Sequence, residues 1–277
     1  MTPLESETVL MNSRSRAPLV RGLVGLLVVI TVGTSLPAAP PTITSLAPRA
    51  VRPGESVNVT LRGAGLNAAP RLWTSSACSV ELAADVKDNG TKANEVTFRV
   101  TAPANEPVAI HGLRVSTAGG VSAPVLFAVD DLPSVAQQAG NITRDKAQLL
   151  TLPVGVDGQL AALALNYYKF QVTAGQRLSV EVLSRRLGSP LDPMIRLLDA
   201  NGRELEYSDD VSGLRSDSRL HHVFQQAGQY YVEVRDISYK GGGNHFYRLR
   251  VGDFPCVSTT YPMGAKRGTT AELTFAG

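Results

Sequence analysis

Two cysteines, one tryptophan, four histidines and an aromatic content of 6% leave this 277-residue chain short of the parts that several chemistries require. Cys78 and Cys256 stand 178 residues apart and neither belongs to a C-x-x-C pair, so no thiolate metal site is offered. A disulfide between them would have to tie distant modules together, and two separate thiols are the simpler reading. The histidines fall in no H-E-x-x-H frame, and there is no G-x-S-x-G elbow and no phosphate-cradling glycine loop. His221 and His222 are neighbours at the start of an expected strand, where successive side chains point to opposite faces, and so do not suit one shared metal. His111 and His245 read as surface or rim residues. Charged residues make up 18%, the net charge is +3, and no run of Lys or Arg exceeds two, which excludes the basic groove of a nucleic-acid binder. Neither a catalytic residue nor a nucleic-acid partner is expected.

What the chain does hold is turn-forming residues, 25 Gly and 17 Pro, between short alternating segments, the balance of an all-β protein. Its one long apolar run, LVGLLVVITVG (23–33), follows Arg14, Arg16 and Arg21 and precedes the small-residue stretch SLPAAPP. That order reads as a secretory signal peptide, a helix within residues 1–39. The competing reading is an uncleaved membrane anchor from Leu19 to Leu36 with Arg21 snorkelling. Either places the remainder outside the cytoplasm, secreted or at the cell surface.

In residues 40–130 strand alternation recurs: Val57, Val59 and Leu61 against Asn58, Thr60 and Arg62; Val96, Phe98 and Val100; Val125, Phe127 and Val129. The opening P-x-I-x-x-L-x-P at Pro41, Ile43, Leu46 and Pro48, then Gly54 and the G-x-G-L at Gly63, Gly65 and Leu66, resemble the IPT/TIG group of immunoglobulin-like domains. That resemblance implies a sandwich serving as a spacer or interaction module. With an offset of 214 residues the opening recurs in the tail: Pro48 meets Pro262, Gly54 meets Gly268, Thr60 meets Thr274 and Gly63 meets Gly277, with Leu273 and Phe275 at the places of Val59 and Leu61. Residues 254–277 are therefore expected to begin a further immunoglobulin-like unit in a chain that continues, and to be poorly supported alone.

Between the copies, residues 131–253 alternate in four clean segments: Tyr168, Phe170, Val172; Leu178, Val180, Val182; Tyr230, Val232, Val234; and Tyr247, Leu249, Val251. Ser179, Glu181, Arg248 and Arg250 fall on the opposite, polar phase. Met194–Leu198 alternates less cleanly and is expected to have both faces covered. The strand at Tyr167–Phe170, the A-G-Q turn at Ala174–Gln176, the segment from Leu191 to Gly202, Ser208–Asp210 and the A-G-x-Y-x-V-x-V strand from Ala227 to Val234 resemble the bacterial pre-peptidase C-terminal domain. Asn166 stands where that family often has Asp. The resemblance implies a second, jelly-roll-type sandwich of the kind found in exported peptidases and long secreted proteins.

One ligand set remains to weigh. Asp192, Asp199, Asp209 and Asp210, with Asp217 beyond, come from loops that a sandwich can gather at one end, and calcium is the cation that such oxygens suit. In DANG the glycine, Gly202, comes fourth rather than at the sixth position of an EF-hand, so Asp199 and Asn201 read equally as turn formers. Tyr167, Tyr231, Tyr239 and Trp73 fall on outward phases or loops, where they serve either ligand contact or cross-strand packing. Asn58, Asn89 and Asn141 sit in N-x-T sequons too short to prove glycosylation. The expectation is a non-catalytic exported module array that spaces, stabilises or adheres. Its partners are other domains of a longer protein, cell-surface polymers or extracellular proteins. The alternatives are the accessory region of a secreted peptidase, and a calcium- or carbohydrate-binding sandwich.

Overall fold

A computed structural model describes residues 39–257 and 259–276; the signal-peptide reading falls on residues outside this range. Apart from one 3-10 turn, Arg185–Leu187, the regular structure is all strand. Among the described residues no helix is long and apolar enough to cross a membrane.

The first sandwich pairs a four-stranded sheet, in the order Thr42–Ala47, Ser56–Ala64, Glu95–Thr101, Ser79–Leu82, with a sheet ordered Ala50–Val51, Val125–Val129, Ala109–Thr117, Arg71–Thr74. Period-2 alternation sends Val59, Leu61, Val96, Phe98, Phe127 and Val129 into one core between them. The second sandwich has two five-stranded sheets. One runs Ser134–Ala136, Val154–Gln159, Phe246–Gly252, Arg177–Leu183, Arg219–Val223; the other runs Gln148–Leu149, Asn166–Val172, Gly228–Asp236, Pro193–Leu198, Glu204–Ser208. Its core takes Tyr168, Phe170, Val180, Val182, Ile195, Val232, Leu249 and Val251. Within it, Tyr247 Oη meets Tyr168 Oη at 2.6 Å and accepts from Asn166 Nδ2 at 2.7 Å, so Asn166 satisfies hydroxyls that the core would otherwise strand. Gly158 is needed there, because a Cβ at that position would enter the Tyr247 ring.

The strand with both faces covered is Arg177–Leu183 rather than Met194–Leu198. Ser179, Glu181 and Leu183 are buried on its supposedly wet side, whereas Met194 and Arg196 stay half-buried. The reason is tertiary: Ala50 and Ala128 of the first sandwich pack on Leu183, while Arg186, Arg219 and Arg250 enclose Glu181 and Ser179 donates to Phe254 O.

The tail forms a two-stranded hairpin, Thr259–Tyr261 with Thr274–Ala276. Its register, Tyr261 with Thr274 and Thr260 with Phe275, repeats at the same 214-residue offset the pairing of Ala47 with Thr60 and Leu46 with Leu61. Gly54 and Gly268 both hold φ +80°, a left-handed conformation that favours glycine. The environments differ: Leu61 is 0% exposed, and its counterpart Phe275 is 61% exposed.

Candidate functional site

The densest chemistry in the described chain is where the two sandwiches meet. Alternation puts Asp157, Arg248 and Leu183 in one cross-strand row on the outer face of the second sandwich, and Gly155, Arg250, Glu181 and Arg219 in the next. Asp130, at the end of the last strand of the first sandwich, enters this face. Its Oδ2 accepts from Arg248 Nε at 2.6 Å and its Oδ1 from Arg250 Nε at 3.2 Å. Asp157 accepts from Arg248 Nη1 at 2.8 Å and, from the first sandwich, the Arg49 backbone N–H at 2.7 Å. Arg248 Nη2 donates to Ser134 Oγ, which leaves this 0%-exposed guanidinium bonded through all three nitrogens. Glycine at 155 makes room for it, since a Cβ there would collide with Nη2.

The network continues outward. Glu181, 1% exposed, accepts from Arg250 Nη1 at 2.8 Å, Arg186 Nη2 at 2.8 Å and Arg219 Nη2 at 2.6 Å. Asp217 takes Arg186 Nε at 2.7 Å and the N–H groups of Ser184 and Arg185. Burial pushes the Glu181 carboxyl up, but the three guanidiniums outweigh it and hold the pKa at about 2. Asp130 behaves alike: burial raises it, Arg248 and Arg250 pull it further down, and the net shift is downward. Beside the charges, Ala50 and Ala128 pack on Leu183 and Leu187, with Ile110, Leu126 and Phe246 against them. A cleft of about 290 Å3 opens here between Ile110, Ala128, Leu183 and the charged groups. Glu181 and Asp130, one from each sandwich, have their oxygens taken up by arginines, so the network joins the two sandwiches.

Of the four aspartates singled out from the sequence, three gather at one end of a hairpin and Asp199 stands apart. Asp192 and Asp209–Asp210 lie at one end of the hairpin formed by Pro193–Leu198 and Glu204–Ser208, close enough that burial and then the Asp210 and Asp192 charges raise the Asp209 carboxyl. Asp199 lies at the other end, six strand residues away, or about 20 Å. Its Oδ1 accepts the N–H groups of Asn201 and Arg203, each at 2.9 Å, and so closes the turn. Among the described residues no group of three His, Cys, Asp or Glu side chains is placed to hold a metal ion.

Tyr167 and Tyr231 do share the outer face of the second sheet, in adjacent rows with Tyr207 and Arg196. Tyr167 donates to Glu233 at 2.8 Å, Tyr231 lies under Arg144 and Tyr239 under Arg235. His222 meets Glu206 at 3.0 Å and His221 points to solvent. Asn89 and Asn141 bond to backbone inside the fold, and both thiols are free.

Comparison with known families identifies the middle part of the second sandwich. Residues 165–236 match the family model of the bacterial pre-peptidase C-terminal domain. The chain carries a pre-peptidase C-terminal domain. A comparison with curated proteins returns no match. Among solved structures the chain is similar to the pre-peptidase C-terminal domain of a Bacillus anthracis collagenase, at 19% identity over 38% of this chain and 93% of that one, with a TM-score of 0.29. It is also similar to PliG, a periplasmic inhibitor of g-type lysozyme from Aeromonas hydrophila, at 15% identity, 43% and 95% coverage and a TM-score of 0.30. A third is SGBP-B of the Bacteroides ovatus mixed-linkage glucan utilization locus, at 11% identity, 72% and 74% coverage and a TM-score of 0.24. None of these likenesses is high enough to speak to a shared ligand or activity. The joint uses residues on both sides of the matched segment, among them Asp130, Arg248 and Arg250.

Proposed function

We propose that the chain is a non-catalytic, exported two-sandwich arm that holds the pre-peptidase C-terminal domain in a fixed orientation on the immunoglobulin-like module. It acts as a spacer or adhesion segment of a larger cell-surface or secreted protein. The observation that carries this reading is the buried Asp130–Arg248–Asp157 and Asp130–Arg250–Glu181 network across the two modules. Buried ion pairs cost desolvation and are weak stabilisers against an apolar alternative, but they tolerate only one arrangement of their partners. A flexible tether needs no such network; a strut of defined length does. The test is small-angle X-ray scattering of the chain beside Asp130→Ala. A single compact profile that becomes a broad ensemble in the variant supports the strut, and a wild-type profile fitted only by freely jointed sandwiches refutes it.

A second reading is a binding platform, drawing on Tyr207, 61% exposed, in the same row as Tyr167 on the outer sheet face. Glycan-array or collagen-peptide binding that falls in Tyr207→Ala would favour it over the strut alone.

A further inference from the structure

Along the flank of the joint lies a second cleft, of about 390 Å3. Its walls come from both sandwiches: Ile43, Leu46, Val125 and Leu126 from the first, Leu187 and Phe246 from the second. Volume and lining are those of a small-ligand pocket, apolar with few polar groups. The charged group in this lining is Arg49.

Arg49 is 9% exposed and its guanidinium carbon stands 3.5 Å from the centre of the Phe246 ring. Arg248 and Arg250 are clasped by carboxylates, whereas among the described residues the Arg49 guanidinium has neither a carboxylate partner nor a hydrogen-bond acceptor. Asp157, the acid nearest it, spends its oxygens on the Arg49 backbone N–H and on Arg248. Burial, offset in part by the Asp157 charge, lowers the Arg49 pKa from 12.5 to about 10. The guanidinium nitrogens are not sealed off, so the planar donor fork is presented to the cleft rather than spent inside the protein. A second donor adjoins it. The N–H of Leu126 lies on the same strand edge as those of Ala128 and Asp130, which bond to Arg49 O and Val51 O. The partner strand Ala50–Val51 pairs only as far as Ala128 and stops short of Leu126.

We propose that this cleft binds an apolar carboxylate of the size of an N-acylated leucine, its carboxylate on the Arg49 guanidinium and its apolar body between Leu126, Leu187 and Phe246. A planar fork stacked on an aromatic ring is pre-set for bidentate carboxylate recognition, and the wall opposite accepts a branched aliphatic group. The same end-group chemistry is presented by a free acylated amino acid and by a peptide C-terminus.

The full chain is titrated with N-acetyl-leucine, N-acetyl-leucinamide and sodium acetate, followed by amide chemical shifts. The expected result is saturable binding of the acid, at least tenfold weaker binding of the amide, and no saturation by acetate. Arg49→Gln should abolish the preference for acid over amide, and Arg49→Lys should weaken it. Should Arg49→Gln fail to fold, the wild-type acid-to-amide ratio decides by itself. Equal binding of acid and amide, or no binding of either, overturns the proposal. A leucine-terminated tetrapeptide that binds more tightly than N-acetyl-leucine assigns the site to a peptide end, and equal affinity assigns it to a small acid. The site needs docked sandwiches and so rests on the strut reading. Scattering on the same samples separates the two, since a docked chain that binds nothing sinks the site and leaves the strut standing.

Discussion

Replacing Asp130 by Asn removes one charge from the centre of the joint and little volume. Arg248, wholly buried, then loses its 2.6 Å carboxylate partner and keeps Asp157 and Ser134, while Arg250 keeps Glu181 and Asp131. Removing one member of a buried pair costs about 3–5 kcal/mol, and the contacts that remain put this case near the low end, at about 3 kcal/mol. For a chain of this size that corresponds to a fall in Tm of roughly 6–12 °C. The assay is thermal and urea unfolding of wild type, Asp130→Asn, Arg248→Met and the double variant, read by near-ultraviolet circular dichroism. Arg248→Met should cost as much or more, because it takes a charged partner from two carboxylates at once, leaving Asp130 with Arg250 and Asp157 with the Arg49 N–H alone. The double variant should be less destabilised than the sum by at least about 1 kcal/mol, since each single change already breaks the Asp130–Arg248 pair and the sum counts that loss twice. A loss below about 0.5 kcal/mol for Asp130→Asn, or strict additivity in the cycle, would refute the view that this pair holds the sandwiches together.

Acid should loosen the same joint. The Glu181 carboxyl falls from an ordinary 4.5 to about 2 on folding and Asp130 also shifts down, so their contribution is complete above the unfolded value and is lost as pH falls through the folded one. The urea midpoint should hold steady from pH 8 to about 5 and drop between about 5 and 2, and Glu181→Gln should flatten that drop; a midpoint unchanged down to pH 3 would contradict it. Gly155→Ala, which drives a methyl into Arg248, should cost about 1–3 kcal/mol although it adds a single carbon. Equal stability in chemical denaturation would mean that Arg248 has another place to go. Asp199→Ala should cost about 1 kcal/mol through its two turn hydrogen bonds, by the same amount in chelator as in calcium. A calcium-dependent difference in melting temperature would return Asp199 to a metal-ligating role.

The sequence by itself determined the strands and the two cores. Val59, Leu61 and Phe98, or Tyr168, Phe170 and Val180, declare themselves through a period of two that the pleated backbone imposes locally, whatever lies far away. The tail hairpin was legible for the same reason, its repeat surviving in the pairing register as well as in the residues. The joint was not legible. Asp157, Glu181, Arg248 and Arg250 occupy the polar phase of their strands, and from alternation alone that phase is indistinguishable from a face turned to water. Nor could spacing reveal that Asp199 would be parted from Asp192 by the length of a strand, since that follows from the direction in which the hairpin runs. Only the tertiary structure laid one sandwich on the polar face of the other, and so brought Asp130 against an arginine 118 residues later in the chain. Local periodicity says which side of a strand is apolar; what covers the other side is decided by contacts that sequence neighbours do not share.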